Sequence, residues 1–120
     1  MKLITAIIKP EKLDELIGVI TDHGARGLTV TDVRGFGQQY GQLAASRAYG
    51  EAASVTGDIK AVLRPKVRLD VVVLDDDADA MAEAMAKQAR TGAIGDGKIW
   101  MATVDSAIRV RTGERGRDAA

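Results

Sequence analysis

Apolar side chains fall on both faces of the first extended stretch, Leu3 to Lys9: Leu3, Ile4, Ala6, Ile7 and Ile8. Pro10 stops this strand and suits the first turn of a helix, where its missing N–H costs nothing. Leu13, Leu16, Ile17 and Ile20 then recur at i, i+3, i+4 and i+7, which predicts an amphipathic helix. Asp22-His23-Gly24 ends it, with Gly24 as the C-terminal glycine. Leu28 to Arg34, rich in Thr and Val, predicts a second strand. From Gly35 to Leu63 no amphipathic period is sustained, and Gly35, Gly37, Gly41, Gly50 and Gly57 punctuate the stretch. Loops this long inside a compact domain are uncommon and carry function or disorder; Pro65 closes this one.

Val67 to Leu74 alternates as a third strand, with Val67, Leu69, Val71 and Val73 on one face and Arg68, Asp70 and Val72 on the other. Asp75, Asp76 and Asp77 offer N-cap chemistry and negative charge at the positive end of a second helix. Its inner stripe is Ala78, Met81, Ala82, Met85 and Ala89, and Gly92 stops it. Ile99 to Val104 predicts a fourth strand. Asp105 to Val110 adds a short helical or extended piece, and the polar tail TGERGRDAA is expected to fray unless bound.

The order is strand, helix, strand, long loop, strand, helix, strand. That is an α+β, βαββαβ pattern, a ferredoxin-like sandwich within one domain spanning residues 1–120. Its halves form a weak repeat: helix, glycine-bearing turn (HGARG, TGAIGDG), strand. In such a fold the helices cover one sheet face, yet strands one and three carry apolar side chains on both. The uncovered face calls for a partner, and another copy of the chain is the simplest one.

Composition narrows the function. Lys plus Arg and Asp plus Glu both number 17, so net charge is zero and nothing global draws in nucleic acid or an anionic membrane. The chain has no cysteine, which excludes disulfides, thiolate catalysis and zinc–cysteine sites. The opening MKLITAIIKPEK is too short in its apolar run for a signal peptide, and no segment approaches the roughly 20 apolar residues of a membrane span. A cytoplasmic protein is expected, with no membrane insertion. Phe36, Tyr40, Tyr49 and Trp100 are the only aromatics, too few for a base-stacking platform.

The stretch TGAIGDGKIW nearly spells a P-loop, but Ile99 stands where a magnesium-binding hydroxyl belongs, and the order is helix, loop, strand rather than strand, loop, helix. Two readings stay open on these residues alone. Gly92, Gly95 and Gly97 turn backbone amides inward as an anion nest beside the point charge of Lys98, or the stretch is a glycine-rich connection with a solvated lysine. Arg109 and Arg111, on one face of an extended segment, are either a solvated strand edge or further anion contacts. Together with the glycines and Lys98 they favour a polyphosphate site.

The phrases MKLITAIIKP, GLTVTDVRGFG, RPKVRLDVVV, ARTGAIGDGKIW and AIRVRTGERG, in this order, resemble the PII signal-transduction proteins of nitrogen regulation. The resemblance implies a homotrimer of ferredoxin-like subunits with ATP or ADP in clefts between them, joined by magnesium and 2-oxoglutarate. It implies a non-catalytic regulator that controls a target protein, such as an ammonium or other membrane transporter or a metabolic enzyme. The 35–63 segment is then the family's T-loop, residues 91–98 its B-loop, and 109–120 its C-terminal tail. Carried over by motif, Gly95, Asp96, Gly97 and Lys98 wrap the phosphates, and Arg109 and Arg111 reach them from the neighbouring subunit. Ile7, Thr29, Gly37, Gln38 and Val72 line the nucleotide cleft. Gln39 helps hold magnesium and 2-oxoglutarate; Lys66 contacts 2-oxoglutarate, with Lys9 at the nearby strand end.

The departures sit in the long loop. Where the family reads GFGRQKGH this chain reads GFGQQYGQ, so Gln38 and Tyr40 replace two cations. Ala93 stands where a lysine is common, and Ser46 to Glu51 replace the family's YRGAEY. The loop is longer by about eight residues, a modest entropic change for a flexible segment. Tyr49 is the nearest counterpart of the tyrosine that the family nucleotidylates, and Arg47 of the arginine that plugs a transporter pore. An alternative is therefore a PII-like paralogue that senses adenine nucleotides or another small ligand for a different transporter or enzyme. An enzyme is the other class weighed: a kinase-like role for His23, the lone histidine, competes with its reading as a helix C-terminal cap, and the aspartate run 75–77 competes as a metal site with helix capping.

Overall fold

A computed structural model describes residues 1–37 and 63–120. Its elements are β1 (Lys2–Ile8), a 3-10 turn (Pro10–Lys12), α1 (Leu13–Asp22), β2 (Thr29–Gly35), β3 (Arg64–Val73), α2 (Asp75–Ala89), β4 (Gly97–Thr103) and a terminal 3-10 helix (Gly116–Ala119). The strands form one antiparallel sheet in the order β2-β3-β1-β4, the βαββαβ ferredoxin-like arrangement expected.

The core lies between one sheet face and the two helices. Ile4, Ala6 and Ile8 of β1 pair in register with Val71, Leu69 and Val67 of β3, and all six are buried. Leu16 and Ile20 of α1 and Ala78, Met81, Met85 and Ala89 of α2 cover them. Ile17, expected in the inner stripe, is only half-buried and lies at its flank; Leu13 packs against the core as expected, and Val19 joins it. The α1 end is a Schellman cap: Gly24, at φ +87°, donates to the Thr21 carbonyl (3.0 Å) and Ala25 donates to Ile20 (3.2 Å).

Several boundaries and roles differ from expectation. β2 runs through Gly35, and β3 begins at Arg64, so Pro65 lies inside a strand. There β3 has only β2 beside it, because pairing with β1 starts at Val67, and a proline on a local edge breaks no ladder on its open side. β4 begins at Gly97 rather than Ile99. The N-cap of α2 is Leu74, with no side-chain cap bond, so the three aspartates fill the first turn instead. Asp75 pairs with the α-amine of Met1 at 3.1 Å.

The tail is ordered. Arg109 and Gly113 form a tight hairpin, with the Arg109 amide donating to the Glu114 carbonyl (2.8 Å) and the Gly113 amide to the Arg109 carbonyl (2.7 Å). Ile108 bridges Arg115. The expected extended segment is thus a turn at residues 110–112, which separates the two arginines: Arg109 is half-buried and Arg111 exposed.

The second sheet face is open in the protomer and is less apolar than the strand pattern suggested. Leu3, Ile7 and Val72 are half-buried there, but its centre is polar. Thr5, itself buried, donates its hydroxyl to Asp70 (2.7 Å), and the Arg68 guanidinium grips the same carboxylate at 2.9 and 3.2 Å. Those bonds to Arg68, with Thr5 assisting against the cost of burial, hold the Asp70 carboxyl below its ordinary range. Charge is unevenly spread between the helices and the rest of the described residues. Asp14, Glu15, Asp76, Asp79 and Glu83 are exposed on α1 and α2, where Lys87 is the lone cation. Arg26, Arg34, Arg64, Arg90, Lys98, Arg111 and Arg115 are exposed on the strands and loops, against Asp32, Asp105 and Glu114.

Candidate functional site

The glycine loop 91–98 is built on three positive-φ glycines: Gly92 at +83°, Gly95 at +91° and Gly97 at +101°. Gly97 is obligatory twice over, since a Cβ there would fall 1.7 Å from the Ile7 carbonyl oxygen. The loop is stapled by its own carboxylate. Asp96 accepts from the amides of Thr91 and Gly92 (2.8 Å each) and from the Thr91 hydroxyl, and pairs with Lys9 at 3.2 Å. The Thr91 hydroxyl, then the two backbone amides and Lys9, hold this carboxyl far below the usual carboxylate range, outweighing partial desolvation. Part of the expected anion nest therefore already contains an anion. The amides of Ile94 and Gly95 make no hydrogen bond among the described residues, nor does the Lys98 ammonium.

Beside this loop lies a cleft of about 510 Å³ that brings together Ile7, Gly37, Lys66, Lys98 and Trp100 with Gly95–Gly97. Lys66 donates to the Gly95 carbonyl across it. Lys9 does not line this cleft; its ammonium is spent on Thr91 and Asp96. The base of the long loop enters through Gly35, Phe36 and Gly37.

The rest of the predicted nucleotide set is elsewhere. Thr29, Val72 and Arg109 line a second cleft of about 550 Å³ at the opposite end of the open face. In register, Ile7 pairs with Arg68 and Leu3 with Val72, so the two clefts are four strand positions apart, about 13 Å at the usual rise. Arg109 is tied to its own tail: it donates to the Asp118 carbonyl (3.1 Å) and pairs with Glu114 at 3.5 Å, while its buried Nε lacks a hydrogen-bond partner. Arg111 lines neither cleft. Gln38, Gln39, Arg47 and Tyr49 lie outside the described residues.

Sequence reasoning missed Thr91, whose hydroxyl completes the Asp96 staple; a threonine opening a turn that carries an aspartate five residues on was the available signal. It also missed Trp100 as a cleft residue, because an alternating edge strand does not say which face looks onto a loop. His23 directs Nδ1 to the Val19 carbonyl at 2.9 Å, and an acceptor there puts the proton on that nitrogen, so the ring caps the end of α1. Among the described residues no group of three or more His, Asp or Glu is placed to hold a metal, and no helix is long and apolar enough to cross a membrane.

An antiparallel sheet backed by two helices, with a glycine loop bordering a cleft at one end of its open face, defines a ferredoxin-like α+β protein. The family model for nitrogen regulatory protein P-II matches residues 1–114. Nitrogen regulatory protein P-II of Cereibacter sphaeroides is 47% identical over 119 residues, covering 99% of both chains. That of Rhizobium meliloti is 45% identical with the same coverage, and nitrogen regulatory protein P-II 2 of Methanothermobacter thermautotrophicus is 44% identical over 99% of this chain and 96% of its own. The chain belongs to the P-II family of nitrogen regulatory signal proteins, which are regulators and not enzymes.

Proposed function

We propose that this chain works as a homotrimer that binds ATP or ADP between protomers, with magnesium and 2-oxoglutarate as co-ligands, and signals through the 35–63 segment to a target protein in nitrogen or ammonium control. Residues 1–120 act as one cytoplasmic domain, with 91–98 gripping phosphates and 109–120 closing on them. The observation that carries this is the division of the predicted nucleotide residues between two clefts at opposite ends of one open sheet face. A neighbour packed on that face would join the glycine-loop cleft of one protomer to the Thr29–Arg109 cleft of the next. Arg111, exposed and in neither cleft, suits a reach across such a joint.

The route to the long loop is local. Gly37 and Lys66, which bracket the 38–62 segment, both border the glycine-loop cleft. A ligand there acts on the segment only if it prefers one of its arrangements, which is the requirement for any switch. Gln39 is the residue for magnesium and 2-oxoglutarate, and Lys66 the carboxylate partner; Lys9 serves the loop instead. Arg47 and Tyr49 belong to the target-facing part.

Calorimetric titration with ATP and ADP, with and without magnesium and 2-oxoglutarate, tests the reading alongside light scattering for mass. Saturable nucleotide binding by a trimer is expected, and Lys98→Ala or Arg111→Ala should weaken it about tenfold, ~1.4 kcal/mol. A monomer, or no nucleotide binding, rejects it. A second reading keeps the ligand class and changes the target: Gln38, Tyr40 and Ser46–Glu51 depart from the family pattern in the segment that chooses partners. Pull-down with that segment intact and deleted separates the two.

A further inference from the structure

The Schellman cap at Gly24 reverses the chain after α1 and delivers a four-residue connection, Ala25–Leu28, to the end of the sheet. Ala25 and Leu28 pack on the core, while Arg26 and Gly27 are left exposed. Arg26 lines the same 550 Å³ cleft as Thr29, Val72 and Arg109. The other charges there are committed. Asp70 is held by Arg68 and Thr5, and Arg109 by Glu114 and the Asp118 carbonyl. Arg26 makes no hydrogen bond or ion pair among the described residues, so it is the cleft's uncommitted cation.

Resting on the nucleotide reading above, we infer that Arg26 is a further phosphate contact, a guanidinium that takes an oxygen of the nucleotide's polyphosphate arm beside Arg109. Two features of the site call for such a group. Asp96 uses two loop amides and the Lys9 charge, leaving Lys98 as the glycine loop's cation without a partner among the described residues. Arg109 must exchange its tail contacts before it can serve a ligand, whereas Arg26 has none to exchange among the described residues. A planar, permanently charged fork suits phosphate oxygens better than an ammonium on the same stem.

The test is titration of the full-length protein, Arg26→Ala and Arg26→Lys with ATP, ADP and adenosine. Arg26→Ala should bind ATP about tenfold more weakly, Arg26→Lys should recover part of the loss, and adenosine should bind all three alike. Unchanged melting curves are expected, because the side chain is exposed. If the parent binds ATP and Arg26→Ala binds it equally well, the inference fails while the nucleotide reading stands. Equal losses for ATP and adenosine would also overturn it, since the side chain would then shape the cleft rather than grip phosphate. If the parent binds no nucleotide, both readings fall together.

Discussion

At one end of the open sheet face, Gly97 sits against the Ile7 carbonyl and Asp96 staples the loop from inside. At the other end, Arg109 is held by a tail carbonyl and a carboxylate that the same hairpin supplies. Both ends join a glycine turn to cations, but the glycine loop is fixed by Gly97 sterics and its own staple with Lys98 left outside it, whereas the Arg109 side chain is itself tied up in contacts that a ligand must displace. The first needs little rearrangement to receive an anion, which lowers the ordering cost of binding. The second must trade partners, so a ligand there competes with the protein itself.

The largest test of this contrast is Gly97→Ala. The clash with Ile7 and a φ of +101° should destabilise the fold by more than about 3 kcal/mol, read as a lowered urea midpoint. A near-neutral result would break the steric half of the comparison. Asp96→Ala should next leave the fold intact but weaken nucleotide binding about tenfold, since the loop loses its staple; calorimetry reads it, and unchanged affinity would mean the staple is dispensable. Gly113→Ala, in the tail hairpin at φ +73° with open space around it, should cost only about 1 kcal/mol from left-handed strain. A cost matching Gly97→Ala would erase the difference between the ends.

The smallest expected effect is with pH. Because the folded-state pKa of Asp96 is depressed from 3.8, its contribution is present above that ordinary value and is lost as pH falls through the folded one. Fluorescence of Trp100, the single tryptophan and a cleft residue, should therefore stay flat from neutrality to about pH 4 and change only below it. A transition between about pH 5 and 7 would show that another group sets the loop.

Much of the fold was legible because its code is periodic. The Ala78–Met81–Met85–Ala89 stripe and the Val67–Val73 alternation fall where the core needs them. What was hidden depended on contacts distant in sequence or on local bonds with no period. Asp75 is drawn to the Met1 amine, and Leu74 enters the helix straight from β3. The tail reads as polar and loose, yet a hydrogen-bonded hairpin around Gly113 and a bridge from Ile108 to Arg115 order it. The site was half legible. The motifs named its glycines and cations, but only the register showed that they fall into two groups, and only contacts showed that Lys9 and Asp96 serve the loop.

Electrical neutrality of the whole chain conceals a front and a back. Among the described residues carboxylates crowd α1 and α2, while ammonium and guanidinium groups outnumber carboxylates on the strands and loops, so the two layers differ in charge. A polyanion diffusing nearby is repelled from the helical side and drawn to the sheet side, so the capture of such a ligand is oriented before any contact forms and should slow as added salt shortens the reach of that field.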